Sequence, residues 1–410
     1  MKKINKLLFV IPFALSLFAC VKKTQTEGTT TTETKTTENT TTLSQPVDVY
    51  YDIVFVDYDN TVLYQTRVKK GDTPVYSMSN PTRSNDKIYS YTFNGWDKEI
   101  TSASSNTTYK ATYTTIPYVR NDNKIYFGSY PQTLVRDTSI ITELNSDTSN
   151  WTDYNYYISR DIKSFMFYKD IDTDNDGDYD YRGVYFTQYR PARYLDSSST
   201  GTSFQDDNGY STNTIYWFSY DPIEWDILTE SSGKALIIAN LILDSQDFYP
   251  SNSTTTFLHN GKSGYANNYE LSNIRKFLNE TFYNTAFNDL QKSIIEKTEV
   301  DNSSSTTSSV YSNSYACNKT SDKMFLLSWR EADSTYYSSS TARRTKGTDY
   351  AKAQGLYVYT TGYSYWWLRS PDPNEALNAN YVYSNINDIG RSTVNNADNG
   401  VRPVCWISLK

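Results

Sequence analysis

Two tryptophans stand side by side at Trp366 and Trp367, within the stretch Tyr365-Trp366-Trp367-Leu368-Arg369-Ser370-Pro371 of a 410-residue chain that holds 8 Trp. In a β-strand successive side chains point to opposite faces, so Trp366 and Leu368 share one face while Trp367 and Arg369 share the other. Both rings cannot stack on one ligand, and a strand with a tryptophan on each face needs cover on each. The expectation is a packing segment: one Trp fills the core and the other covers flanking helices or loops. Arg369, and Arg402 further on, tie neighbouring turns by hydrogen bonds. A second stretch makes a similar demand. Ile223, Trp225 and Ile227 fall on one face of a strand, a Ser-Ser-Gly turn follows, and Ala235 to Ile242 is nearly all apolar, which predicts a strand buried on both sides.

The first twenty residues do not enter this fold. They have a basic start (Lys2, Lys3, Lys6), an apolar run from Leu7 to Ala19 too short to span a bilayer comfortably, and a small residue before Cys20, the pattern of a secretory signal. Leu17-Phe18-Ala19-Cys20 resembles the lipobox of bacterial lipoproteins. The resemblance implies that Cys20 carries a diacylglyceryl thioether and that the mature protein is held to the cell membrane, outside the cytoplasm, by that lipid. From Val21 to Gln45, twelve of twenty-five residues are Thr and none is aromatic, so residues 21–46 cannot bury a core. As a coil this tether averages about 25 to 30 Å end to end, with a stretched limit of about 80 Å.

The net charge of −7 and the lack of a single-sign basic patch exclude nucleic acid as a partner class. With Cys20 assigned to lipid, only Cys317 and Cys405 remain, and outside the membrane they either pair as a disulfide or stay as two buried thiols. The 39 Tyr suit a secreted β-rich protein with half-exposed amphipathic side chains.

After the tether, apolar and polar residues alternate through Ile53 and Phe55 and again through Val62 and Tyr64, around an Asp59-Asn60 pair, which predicts a β-hairpin. Two short period-two runs follow. Val54 to Leu63, Val68-Lys69-Lys70-Gly71, Pro81-Thr82-Arg83 and Phe93-Asn94-Gly95-Trp96-Asp97 resemble, in order and wording, the internalin-type B-repeat, or Listeria–Bacteroides repeat, across nearly all of residues 47–115. That resemblance implies a small β-grasp-like domain of a bacterial surface protein. Trp96 is expected to be its large core residue, and a single copy implies a spacer or adaptor.

From Ile116 onward, strands, a few short helices and long Ser/Thr/Asn-rich loops alternate. Ser272 is a candidate N-cap before Ile274, Phe277 and Leu278. Asn288 with Gln291, and Ser328 with Glu331, form candidate capping boxes, the former with Leu290, Ile294 and Ile295 expected inward. "YFGSYPQ", "PIEWDIL", "IRKFLN", "SDKMFLLS", "WWLRSP" and "GVRPVCWISL" follow one another as in a recurrent, uncharacterised bacterial surface domain that is similar to the C-type-lectin-like superfamily, to which formylglycine-generating enzymes also belong. The implied class is α+β: a β-grasp-like repeat domain at 47–115 followed by a C-type-lectin-like mixed domain at 116–410, closed by pairing the last two aromatic-rich strands.

Little in the sequence suggests catalysis. The single His, His259, sits in a polar loop with no nucleophile motif beside it. A formylglycine-type oxidase needs two closely spaced cysteines near the C-terminus, and Cys317 and Cys405 are far apart, which argues against that activity while leaving the fold untouched; an enzyme on this fold is the alternative to a binding protein. Glu224 and Asp226 share a strand face, which solvent-facing charges explain as well as a carboxylate pair does. The motif with metal chemistry is Asp172-x-Asp174-x-Asp176-Gly177-x-x-Asp180, in "DTDNDGDYD" with Asp178 as a further carboxylate, which matches positions 1, 3, 5, 6 and 9 of a calcium loop, where hard carboxylate oxygens converge. Position 12 is Gly183 rather than Glu, and the flanks look like strands, so the expectation is either a hairpin-borne Ca²⁺ loop of the weak extracellular kind or a solvated acidic turn. A non-catalytic surface protein that binds an extracellular glycan or protein would use its long loops, at roughly 195–215, 250–270, 300–320 and 372–398.

Overall fold

The computed structural model describes residues 47–154, 165–190, 204–251, 253–259, 261–309, 311–383 and 388–409. The expected signal segment with Cys20 and the expected tether to residue 46 lie outside the described residues, as does 195–203. From Tyr50 to Lys410 the chain forms one compact unit of mixed α+β structure with two hydrophobic cores.

The smaller core belongs to the first sheet. Strands β1 (Tyr50–Val56) and β2 (Val62–Lys69) pair antiparallel around a turn in which Asn60 adopts a φ of 71° and Asp59 accepts a hydrogen bond from the Thr61 amide at 2.9 Å. Strands β3 (Ser90–Trp96) and β4 (Thr107–Ile116) complete the order β2-β1-β4-β3, with β1 and β4 parallel. Phe55, not Trp96, is the centre of this core. Its ring is fully buried and meets Tyr76, Trp96 and Tyr109 at centroid distances of 5.1, 4.8 and 5.1 Å. The β3–β4 register shifts between Phe93 and Trp96, and Trp96 ends half-buried, edge-on to Phe55.

The larger core is organised by one long strand. Strands β5 (Val119–Asn121) and β6 (Lys124–Leu134) form a hairpin, and β7 (Thr152–Asp153), β8 (Met166–Ile171) and β9 (Tyr181–Phe186) form an antiparallel series. Both sets are joined by β10, Tyr216–Ser231, which pairs with β6 along one edge and with β9 and then β11 (Lys234–Ala239) along the other. Pro222 has no N–H to give the ladder, and the β6 register slips just beyond it. Ile223 and Trp225 are fully buried, and so is every residue of β11 from Ala235 to Ala239. The turn between β10 and β11 places Ser232 and Gly233 at φ values of 52° and 73°, the positive values a two-residue hairpin needs.

A second, five-stranded sheet has the order β12-β20-β17-β18-β19, formed by Asp244–Ser245, Gly400–Val401, Trp366–Pro371, Asn378–Val382 and Ile389–Thr393 respectively. The hairpin β13–β14 (Phe257–His259 and Lys262–Gly264) and the pair β15–β16 (Thr298–Val300 and Thr320–Asp322) lie outside both large sheets. All six residues of β17 are buried, Trp366 and Trp367 included. Each indole N–H is satisfied by a backbone carbonyl: Trp366 donates to Arg343 at 3.2 Å and Trp367 to Gln246 at 2.8 Å. The expected pairing of the last two aromatic-rich segments is confined to one residue pair, Trp366 with Gly400, in parallel. After Val401 the chain changes sheets, and β21 (Val404–Ser408) pairs with β11 instead.

Short helices start at the expected caps. Ser272 accepts from Arg275 N, Asn288 and Gln291 form a reciprocal capping box, and Ser328 and Glu331 exchange the same two bonds. Ile294 and Ile295 are buried, but Leu290 is 42% exposed, because the one-turn helix Asp289–Lys292 ends before its stripe reaches the core. The segment 372–398 is not a long loop: it contains β18 and β19, and β18 is entirely buried. Among the described residues no helix is long and apolar enough to cross a membrane. Packing on this scale sets an order of costs. Trp367→Ala, which removes a fully buried ring and its carbonyl partner, is expected to cost about 3 to 5 kcal/mol in urea unfolding, and Trp96→Ala at a half-buried site clearly less.

Candidate functional site

The aspartate-rich segment lies where the sequence puts it, in the connection between β8 and β9. Carboxylate oxygens of Asp172, Asp174 and Asp176 converge to within 4.8 Å of one another. The loop organises them with its own amides: Asp172 accepts from Asn175 N at 2.7 Å and Gly177 N at 3.0 Å, Asp174 from Asp176 N at 3.2 Å, and Asp176 from Asp178 N at 2.9 Å. Asp180 is tied to Thr173, whose amide donates at 2.8 Å. Slight burial and the charges of Asp176, Asp180 and Asp172 push the Asp174 carboxyl up against the amide bond that lowers it, so a cation would relieve crowding. Asp172, Asp174 and Asp176 therefore fit the oxygen donor set of Ca²⁺.

Two predicted participants do not join them. Asp178 turns outward to the side chain of Asn288, and its carboxyl is raised by burial first and by Asp176 second. At position 12, the chain is already inside β9. A Cβ on Gly183 would lie 2.8 Å from the Trp217 ring and 3.2 Å from that of Trp151, so packing forbids the bidentate Glu of a tight site.

Two of the four expected loop regions converge elsewhere. Clefts of about 560 and about 580 Å³ share Lys262, Glu270 and Leu271, and the second is also walled by Asn268, Cys317 and Asn318. The hairpin β13–β14 closes on Leu271 because Gly264 has no Cβ, which would sit 2.7 Å from that side chain. Glu270 is the centre: it pairs with Lys262, accepts from Asn318 Nδ2 at 3.2 Å, and through its backbone carbonyl accepts from Arg275 at 3.1 Å. Arg275 in turn pairs with buried Asp322 at 2.6 Å. Lys276 lies 3.9 Å from Glu280, so the clefts' charges are compensated within their own walls.

The remaining predicted residues are structural. Arg369 is buried, donates to the carbonyls of Leu326 at 2.7 Å and Asp301 at 3.0 Å, and forms a bidentate pair with Glu331. Burial raises the Glu331 carboxyl, but Arg369 outweighs burial and holds it below the ordinary range. Arg402 is buried too and donates to Ala239 O at 2.7 Å and to the Tyr337 hydroxyl at 2.9 Å. Trp225 donates to Phe127 O at 2.7 Å. Cys317 and Cys405 form no disulfide. Cys405 is sealed inside β21, Cys317 sits in a loop at the cleft wall, and burial raises both thiols. Glu224 and Asp226 are half-buried and diverge, Glu224 to Lys124 and Tyr126, Asp226 to Asn240 and Arg402. His259 ends the strand Phe257–His259, and its side chain lies outside the described residues.

Glu331, Glu270 and Gln291 carry more than the sequence reveals. Glu331 shows its capping box but not its partner Arg369, and Glu270 carries no motif at all; only a fold that brings 262–280 to 316–318 exposes it.

Two measurements test this geometry. Thermal stability should rise on adding millimolar Ca²⁺, with a dissociation constant of about 10⁻⁴ to 10⁻³ M, and the rise should vanish in Asp174→Asn/Asp176→Asn. Glu331→Gln should cost about 3 kcal/mol near neutral pH by stranding Arg369. Because Glu331 titrates lower when folded than when unfolded, its contribution is present above about pH 4.3 and is lost as pH falls through the folded value. The acid limb of urea midpoints should therefore be shallower in the variant.

A family model described as a domain of unknown function (DUF6273) matches residues 232–409, less than half of the chain. The match opens in the turn between β10 and β11; it includes the Glu270 clefts, Arg369 and Arg402, and leaves out the aspartate loop and β10. No curated protein and no solved structure matches the chain.

Proposed function

We propose that the protein is a lipid-anchored cell-surface protein that binds an extracellular glycan or protein ligand without catalysis. In this reading a lipid on Cys20 holds it at the membrane, the Thr-rich segment is a tether, and residues 47–115 are a β-grasp-like spacer. The sheet order β2-β1-β4-β3 with a parallel central pair supports a grasp-like repeat, although residues 70–89 between β2 and β3 form no helix. Residues 116–410 are the C-type-lectin-like binding body.

The observation that carries the reading is the meeting of segments 250–270 and 300–320 in one of the two clefts that share Glu270. Each is of a size that takes a small ligand or a short stretch of a larger one. Their walls offer amides, hydroxyls and ion pairs already neutralised, which suits hydrogen bonding to a neutral or weakly charged partner and disfavours a polyanion. The clefts hold no described pairing of a nucleophile with a base.

The test is an array of glycans and extracellular-matrix proteins probed with the full chain in detergent, with and without Ca²⁺. At least one ligand should bind, and Lys262→Ala and Asn318→Ala should each weaken it about tenfold. Binding that neither substitution weakens would place the ligand elsewhere and end this assignment.

A further inference from the structure

A third cleft, of about 150 Å³, opens beside the aspartate loop and is lined by Ile88, which precedes β3, and by the helix capped by Asn288. Its walls include Ser129, Asp178, Tyr179, Tyr220, Asn288 and Gln291. Gln291 is 2% exposed. Its side-chain amide oxygen accepts from the Asn288 backbone N–H at 3.1 Å, and the Gln291 backbone N–H donates to Asn288 Oδ1 at 3.1 Å, so the capping box fixes which end of the side-chain amide is which. Asn288 spends its own side-chain N–H on the Tyr89 hydroxyl, at 2.5 Å. The Gln291 Nε2 is left with no hydrogen-bond partner. A buried donor in that state favours whatever brings it an acceptor.

The chemistry of the walls narrows what that can be. Asp178 is an acceptor only, so a ligand spanning both groups must accept at Nε2 and donate to the carboxylate. Ammonium and guanidinium groups carry no acceptor. A carboxylate carries no donor, and a carboxylate or a phosphate would bring negative charge beside the clustered carboxylates of Asp172, Asp174 and Asp176. A hydroxyl both accepts and donates. Tyr179, 51% exposed at the rim, and Tyr220 present tilted rings 5.9 Å apart, apolar faces suited to the C–H side of a sugar ring. The volume is below the roughly 300 Å³ at which drug-sized pockets begin, which limits the ligand to about one ring.

We propose that this cleft binds a neutral polyhydroxyl compound of monosaccharide size, with Gln291 Nε2 donating to one hydroxyl oxygen, Asp178 accepting from a hydroxyl, and Tyr179 covering the ring. The site is separate from the Glu270 clefts and does not depend on their assignment.

Saturation-transfer NMR on the full chain in detergent, with glucose, galactose, N-acetylglucosamine, myo-inositol and glucose 6-phosphate as probes, tests it. At least one neutral probe should bind, and glucose 6-phosphate more weakly than glucose. Gln291→Glu keeps the acceptor of the capping box but removes the donor, and should weaken binding by about tenfold or more. Tyr179→Ala, at an exposed rim position that leaves the fold intact, should weaken it as well, while Lys262→Ala should leave it unchanged. The proposal is overturned if no neutral probe binds, if glucose 6-phosphate binds best, or if Tyr179→Ala binds as well as the unaltered protein. Loss with Lys262→Ala alone would place the sugar in the Glu270 clefts and equally overturn it.

Discussion

The two large sheets are held in register by four residues near the C-terminus. Gly400 and Val401 belong to the smaller sheet, Val404 onward belongs to the larger, and Arg402 and Pro403 make the crossing. Pro403 has no N–H to leave unpaired at the break, and its carbonyl accepts from Ala239 N at 3.0 Å. Arg402 spreads one guanidinium over both sides: it donates to Ala239 at the end of β11, lies 3.4 Å from Asp226 on β10, and sits 5.2 Å from the Trp366 ring on β17. Beyond it, β21 is gripped on its free edge by Phe325 and Ile295, so the crossing also fixes the segments that approach the clefts.

Arg369 performs the same service one layer away. It binds the carbonyls of Leu326 and Asp301 and the side chains of Asn302 and Glu331, which gathers segments 301–302 and 326–331 around one charge. A buried guanidinium is tolerated only when its donors are met, and here carbonyls do most of the work, with one carboxylate supplying the countercharge. Loops assembled in this way are held nearly as firmly as strands. That matters for the proposed binding role, because a cleft lined by 262–280 and 316–318 keeps its shape only if those segments do not move independently.

How much of this was legible in the sequence depends on the range of the interaction concerned. Caps at Ser272, Asn288 and Ser328 are contacts over three residues, and the hairpin turns at Asn60 and Ser232-Gly233 are shorter still, so residue type alone reveals them. Phe55 over Trp96 was not legible, because the centre of a small core is decided by which ring lies on the inner strand of the sheet. Nor was the change of sheet at Arg402-Pro403: "GVRPVCWISL" looks like one strand, and only the competing partners β12, β17 and β11 divide it. Segment 372–398 looks like a loop because its strands carry Asn and Ser, yet Asn378 and Asn380 are buried with their side-chain N–H groups donating to Glu375 and Gly390. The Glu270 clefts carry no signature, since their residues meet only after the hairpin closes on Leu271.

The aspartate loop shows how packing can set the strength of a site. Its first three carboxylates have the spacing of a calcium loop and are pre-arranged by four backbone amides, so little ordering remains to be done on binding. The position that would complete a tight site belongs to β9, where Trp217 and Trp151 need a residue without a Cβ. Trp217 is itself anchored to Asn145 at 2.9 Å and lies under Lys169, so Gly183 cannot be exchanged for Glu without unpacking that corner. Core geometry thus caps the number of oxygen ligands the loop can offer, and a loop so limited would hold a cation only weakly. Asp178, released from ligation by the same geometry, is free to face Asn288 and the small cleft beside it.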